Sequence, residues 1–143
     1  MRKLFNTNFN NEGVHFMLLI TRIAIAAFML THGLQKLPWL LAGGEIQFAD
    51  PIGLGQTASL VLTVFAEVVC SVLVLLGLGT RFAVIPLIIL MLVASLIIHA
   101  PDAFEKKELA FHYLLTYLFL LVAGSGKYSI DHLISRNMNG RRR

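Results

Sequence analysis

Residues 58–98 give the clearest indication of the fold: ASLVLTVFAEVVCSVLVLLGLGTRFAVIPLIILMLVASLII. It contains two apolar blocks, Ala58–Leu78 and Phe82–Ile98, with Glu67 inside the first block and Arg81 between the two. A helix needs about 20 mostly apolar residues to cross a bilayer, with a range of about 17–25, so both blocks are long enough. The glycines between the blocks end one helix where the next begins. The stretch therefore predicts two membrane helices joined by a tight hairpin.

Two further apolar blocks flank this pair, Met17–Leu34 before it and Leu109–Gly124 after it. The 143 residues are 57% apolar and 14% charged, whereas soluble domains average about 25% charged residues. A soluble globule and a disordered chain are therefore excluded, and the absence of alternating segments excludes a membrane barrel. We predict an all-α, integral membrane four-helix bundle that forms a single domain over residues 1–143. Its helices are expected at about 17–36, 58–78, 82–99 and 106–124, followed by a basic cytoplasmic tail over 127–143.

Charge distribution sets the expected topology and partners. The formal net charge is +4, and five of the twelve Lys and Arg residues lie in the last part of the chain, at Lys127, Arg136 and Arg141–Arg143. This places the basic residues on a tail rather than a face, so we predict no nucleic-acid partner. Basic residues are concentrated on the side of the bundle that carries both termini and Arg81, which the positive-inside rule places in the cytoplasm. The single cysteine excludes a disulfide framework and a CxxC redox pair.

Polar residues recur at helical spacing within the apolar blocks. Ionisable groups at membrane depth cost about 2.5–3.5 kcal/mol each on insertion scales and normally face the bundle interior. In the first helix Arg22, His32 and Lys36 fall within an arc of about 80° at 100° per residue. The other three stripes are Ser59, Thr63, Glu67 and Ser71; Met91, Ser95 and His99; and Glu108, His112 and Thr116. We expect the four stripes to form one polar seam.

Position along the helices divides this seam by depth. His32, Lys36, His99, Glu108 and His112 are expected near the outer leaflet. Arg22 and Glu67 are expected deeper, within about 8 Å of each other along the membrane normal, which predicts an Arg22–Glu67 ion pair. The three histidines are candidates for haem or metal ligation, and equally for interfacial hydrogen bonding. We assign no metal site.

The order and spacing of these residues resemble the DoxX family of small bacterial membrane proteins, over about residues 18–131. No single element is specific, but all of them occur in order. One departure is Ser125, where the family often has proline. The elements are Arg22, Gly33-Leu-Gln-Lys36, Glu67, Leu76-Gly-Leu-Gly-Thr-Arg81, Ala94, His99, Glu108-Leu-Ala, Gly124-Ser-Gly126 and Ser129-Ile-Asp131.

The resemblance implies a multi-pass protein of the bacterial inner membrane. The family takes its name from a subunit linked to a thiosulfate:quinone oxidoreductase, and many members have no assigned activity. The family's polar positions carry over as Arg22, Lys36, Glu67, Arg81, His99, Glu108 and Asp131. Of these, Arg81 and Asp131 are expected to meet near Ser129 at the cytoplasmic face, where the contact would have a structural role.

Two hypotheses about function follow from the seam and the resemblance. The first is a membrane subunit of a quinone-linked oxidoreductase, with quinone or haem as the cofactor and other oxidoreductase subunits as partners. The second is a non-enzymatic bundle that binds a small molecule or assists assembly, in which the buried polar residues are structural. Both allow a homo-oligomer in the lipid bilayer, and neither assigns catalytic residues or decides whether the chain is an enzyme. The expected binding residues are Arg22, His32, Lys36, Glu67, His99, Glu108 and His112.

Overall fold

A computed structural model describes residues 10–44 and 46–140, and this part of the chain is helical and contains no strand. The predicted all-α class is therefore confirmed. The described part of the chain contains five helices: α1 (Asn11–Leu41), α2 (Gln56–Leu76), α3 (Thr80–Ile98), α4 (Phe104–Ala123) and α5 (Ile130–Gly140).

The first helix is longer than the sequence pattern indicated. It begins after Asn10, whose side chain accepts a hydrogen bond from the backbone N–H of Gly13 at 3.2 Å. It then continues past the predicted end near Lys36 and through Pro38 to Leu41. Proline removes one backbone donor and strains the turn before it. Because Pro38 lies three residues before the end of α1 at Leu41, this disturbance is limited to the last turns of the helix. The connection to α2 is correspondingly shorter than expected.

The hairpin between α2 and α3 has the predicted form. Gly77 has φ +67° and Gly79 has φ +57°, a left-handed backbone that glycine adopts without a steric penalty. The N–H of Leu78 donates to the carbonyl of Leu73 at 2.9 Å, which satisfies a carbonyl at the end of α2. The next helix then starts at Thr80.

Three of the helices, α1, α2 and α3, are long and apolar enough to cross a membrane. Helix α4 has 20 residues, but its first turn carries Glu105-Lys106-Lys107-Glu108. Large apolar side chains such as Phe82 and Val122 are about 80% exposed on the outside of the bundle. Such a surface suits lipid rather than water.

The core lies where the four long helices pack together. The two most extensive contacts are between α1 and α2 and between α3 and α4. Fully buried residues at the centre include Met29, Val74, Leu87, Tyr117 and Leu120. Because Arg22, Glu67 and several Ser and Thr residues are buried among them, the interior combines an apolar core with a polar interior stripe.

Helix α5 was not predicted, since residues 127–143 were expected to form a basic tail. Its first turn is fixed to the hairpin, where the N–H of Asp131 donates to the carbonyl of Gly77 at 2.9 Å. Apolar residues recur at Ile130, Leu133 and Ile134 with helical spacing. The concentration of arginine in this part of the sequence concealed that pattern.

Candidate functional site

The polar stripe on α2 is buried as predicted. Ser59, Thr63, Glu67 and Ser71 are each no more than 9% exposed. The segment Phe65–Cys70 has π-helical hydrogen bonding, a local widening of the helix that occurs frequently at functional sites. Glu67 therefore lies both at the centre of the stripe and inside the irregular turn.

Glu67 forms an ion pair with Lys36 of α1. The carboxylate side chain is 5% exposed, while the lysine side chain is 25% exposed and forms the open edge of the pair. Gly33 lies one turn before Lys36 on α1, and a Cβ atom there would come within 2.8 Å of the Glu67 Cβ. The absence of a side chain at Gly33 thus allows α1 to approach Glu67 closely, and Lys36 reaches back towards the carboxylate.

Two tyrosines of α4 complete this interior region. The rings of Tyr113 and Tyr117 stack with centroids 6.1 Å apart, and the His32 ring meets Tyr113 edge-on, also at 6.1 Å. Both tyrosine side chains are buried in the interior of the bundle, as Glu67 is. We refer to His32, Lys36, Glu67, Tyr113 and Tyr117 as the Glu67 cluster.

The Glu67 cluster has hydrogen-bonding capacity that the described residues leave unused. Glu67 Oε2 and the Tyr117 hydroxyl are both buried without a hydrogen-bond partner. A buried polar group without a partner loses about 1–3 kcal/mol relative to its hydrated state, so such groups are uncommon unless something binds them. The cluster therefore offers a cationic donor, a carboxylate and a phenol to a hydrogen-bonding ligand or a water molecule.

The predicted Arg22–Glu67 ion pair is wrong. The Arg22 guanidinium donates to the carbonyls of Val74 and Leu75 at 3.3 and 3.4 Å, and to the carbonyl of Tyr128. Val74 is seven residues beyond Glu67, about 10 Å along the helix. Carbonyls at the end of a helix lack some of their helical N–H donors. The guanidinium binds two such carbonyls of α2, that of Leu75 and that of Val74, which also accepts from the N–H of Gly77 at 3.1 Å.

The outer histidine layer is not assembled as expected. His99 Nδ1 lies 2.8 Å from Asp102 Oδ2 in the turn after α3, whereas Glu108 and His112 lie on the exposed face of α4. His32 alone of the three histidines joins the Glu67 cluster. Among residues 10–44 and 46–140, no group of three or more His, Cys, Asp or Glu side chains is placed to hold a metal ion.

The inward face of α4 was misassigned for a physical reason. The sequence pattern indicated Glu108, His112 and Thr116, but the buried residues are Tyr113, Tyr117 and Leu120. Since lipid is as apolar as the helix interface, polarity alone does not tell which face is inside. The i, i+4 pair of tyrosines was the available signal, because a buried tyrosine brings a hydroxyl that needs a partner.

At the hairpin end of the bundle, Arg81 and Asp131 bind backbone groups rather than each other. Asp131 accepts hydrogen bonds from the backbone N–H groups of Gly79 at 2.7 Å and Thr80 at 3.2 Å. Arg81 Nη2 instead donates to the carbonyl of Val122 at 3.2 Å. The predicted Arg81–Asp131 contact is therefore replaced by two backbone contacts, since the start of α3 presents free N–H groups to a carboxylate.

Ser129, for which a structural polar contact was predicted, makes two hydrogen bonds at the start of α5. Its hydroxyl donates to the carbonyl of Gly126 at 2.6 Å and accepts from the N–H of His132 at 3.2 Å. The second contact caps the start of α5. Together with Asp131, Ser129 fixes the entry to α5 against the hairpin.

Comparisons with known proteins agree with this architecture. The family model described as DoxX matches residues 17–100. A protein of Haemophilus influenzae, described as an uncharacterized protein, is 30% identical over 128 residues, covering 82% of this chain and 90% of that protein. No solved structure matches the chain significantly. A family match over more than half of the chain, together with membrane-length helices, shows that the chain is a member of the DoxX family.

Proposed function

We propose that this DoxX-family membrane protein is the membrane subunit of a quinone-linked redox system in the bacterial inner membrane. The observation that carries the proposal is the Glu67 cluster, in which a buried carboxylate and a buried phenol have unused hydrogen-bonding capacity. Quinone carbonyls accept hydrogen bonds, and quinone reduction takes up protons. A lysine, a carboxylate and a tyrosine at membrane depth supply donors and acceptors of that kind.

The partly exposed side of the Glu67 cluster is the side from which we expect a quinone to enter. Lys36 and His32 are partly exposed, whereas Glu67 and Tyr117 are buried behind them. A quinone head group arriving from the lipid would meet the Lys36 ammonium first, and Glu67 would hold or release the proton. Electron transfer needs a further redox group, which we assign to a partner subunit.

The test is quinone binding by the full chain purified in mild detergent. We would extract and identify co-purified small molecules, record the visible spectrum, and titrate the protein with a ubiquinone analogue. The expected result is saturable binding that Glu67→Gln weakens about tenfold or more, equivalent to the loss of one charged hydrogen bond. Glu108→Gln is the matched control, because Glu108 is an exposed acid of α4. Absence of quinone binding in the unmodified protein would contradict the proposal.

The proposed topology has four spanning helices and both termini in the cytoplasm. It requires α4 to cross the membrane although its first turn is charged, and it places the hairpin with Arg81 on the inner side. Green fluorescent protein fused after Arg143 is expected to fluoresce, and alkaline phosphatase fused there is expected to be inactive. The reverse pattern would place the C-terminus outside.

The second candidate function is a non-enzymatic bundle that assists assembly of a membrane complex. Arg22 favours it, because the hydrogen bonds that this charged group makes within residues 10–44 and 46–140 all go to backbone carbonyls and connect α1 to the hairpin end of the bundle. In that case Glu67→Gln would lower stability slightly and would change the recovery of a partner complex rather than any ligand binding.

A further inference from the structure

Helix α5 presents an apolar stripe that no described residue covers. Leu133, Ile134 and Met138 are 57%, 44% and 59% exposed. With Ile130 they fall within an arc of about 140° at 100° per residue, an arc that also contains Asn137. In a helix surrounded by water these side chains would have no apolar contact.

The attachment of α5 fixes the depth at which this stripe begins. The Asp131 carboxylate and N–H bind the turn between α2 and α3, through Gly77, Gly79 and Thr80. That turn connects two helices of membrane-spanning length, so it lies at a membrane boundary. The first residues of α5 therefore lie at the same boundary, within reach of both head groups and acyl chains.

The charge of this segment complements an anionic surface. Lys127 is paired with Glu12, with Nζ 2.6 Å from Oε1. Beyond it the sequence carries Arg136 and Arg141–Arg143 against a single acidic residue, Asp131. That carboxylate is already bound to the hairpin N–H groups. The exposed Arg136 and His132 lie on the side of α5 opposite the apolar stripe. An apolar face combined with a basic polar face is the pattern of helices that lie in the membrane interface.

We infer that α5 is an interfacial helix that lies on the bilayer, with Leu133, Ile134 and Met138 among the acyl chains and Arg136 at anionic phospholipid head groups. The bilayer is the occupant that this surface fits, since the stripe starts at the membrane boundary and the charges match. The inference depends on the chain spanning the membrane and is independent of quinone binding.

The test measures where single positions of α5 lie relative to the lipid. The native thiol is removed by Cys70→Ala, and a spin label is attached to Ile134→Cys on the apolar stripe or to His132→Cys on the polar face. The full chain is reconstituted into vesicles of phosphatidylglycerol and phosphatidylethanolamine. Accessibility to oxygen, which concentrates in lipid, is compared with accessibility to a water-soluble nickel chelate. Both labelled positions are exposed, so neither label disturbs the core.

The inference predicts that the oxygen-to-nickel ratio is several-fold higher at position 134 than at position 132. Equal ratios with strong nickel access at both positions would place α5 in water and overturn the inference. Protection of position 134 from both reagents would also overturn it, because a protein surface would then cover the stripe.

A second arm tests the lipid charge. Each basic residue near an anionic surface contributes about 1 kcal/mol, so Arg136→Gln is expected to reduce the equilibrium constant for association of α5 with lipid by about fivefold. Vesicles of phosphatidylcholine are expected to lower the ratio at position 134 as well. An unchanged ratio in both comparisons would overturn the role of anionic head groups.

Discussion

Arg22 and Glu67 are both charged and both buried in the bundle, but their surroundings differ. Arg22 donates to the backbone carbonyls of Val74, Leu75 and Tyr128. Glu67 pairs with the side chain of Lys36 through Oε1. Its second oxygen, Oε2, has no hydrogen-bond partner among the described residues. A charge bound by backbone atoms can be released only by moving the helices themselves. A charge bound by a flexible side chain can exchange its partner for a ligand without unfolding.

The largest expected effect is that of Arg22→Leu. The substitution removes the arginine donor from the carbonyls of Leu75 and Tyr128, while the carbonyl of Val74 keeps the N–H of Gly77. Hydrogen bonds to charged groups contribute about 1.5–3 kcal/mol each. We expect the free energy of unfolding to fall by about 3–5 kcal/mol, measured by titration with sodium dodecyl sulfate from mixed micelles. Arg81→Leu is the control, since Arg81 is exposed and makes a single carbonyl contact. An equal loss of unfolding free energy in both variants would mean that Arg22 stabilises the bundle no more than the exposed Arg81 does.

The next effect is at the close contact beside Glu67. A Cβ at position 33 would lie 2.7 Å from Val68 Cγ2 and 3.0 Å from the backbone carbon of Glu67. Overpacking of this kind costs about 1–3 kcal/mol, so Gly33→Val is expected to lower stability by that amount in the same titration. Ala27→Val, on the exposed side of α1, should change it by less than about 0.5 kcal/mol. An unchanged free energy of unfolding in Gly33→Val would contradict a close contact between α1 and α2 at this position.

A smaller loss is expected for Glu67→Gln. Glutamine keeps the size of the side chain, and the long, partly exposed Lys36 can turn its ammonium towards the polar interface. We expect a loss of about 1 kcal/mol in detergent titration, well below that of Arg22→Leu. Glu108→Gln should leave stability unchanged. A loss at Glu67 as large as that at Arg22 would indicate that both charges are structural.

The smallest effect concerns a carboxylate that, like Arg22, is bound by backbone atoms. Asp50 accepts hydrogen bonds from the N–H groups of Gly55 at 2.7 Å and Leu54 at 2.9 Å, and from the Ser59 hydroxyl. The hydrogen bond from Gly55 is the main reason that the pKa of Asp50 lies below its ordinary value.

Because the pKa of Asp50 is lowered by folding, its stabilising contribution is present above the unfolded pKa of about 3.9 and is lost as the pH falls through the folded value. We expect the connection before α2 to become more sensitive to an acid protease as the pH falls below about 4. Asp50→Asn should show a weaker dependence on pH over this range. Identical profiles for the two proteins would contradict this assignment.

The α3–α4 region shows which structural features the sequence predicts and which it does not. The length of the apolar block predicted α3 within two residues at its start, and the glycines predicted the hairpin. The inward face of α4 could not be predicted, because both its faces are compatible with an apolar environment. Glu108 and His112 lie outside and Tyr113 and Tyr117 lie inside, an arrangement set by packing against the other helices.

From the sequence we predicted a helical chain with four membrane helices and a buried α2 stripe with Glu67. The described residues confirm the helices, three of membrane-spanning length, and the burial of the stripe. These properties depend on local composition and spacing, which a linear pattern contains. The tertiary structure alone decided the partners of the buried charges. Lys36 rather than Arg22 binds Glu67 because the close approach at Gly33 sets the register of α1 against α2. Such a register depends on contacts between residues that are far apart in the chain.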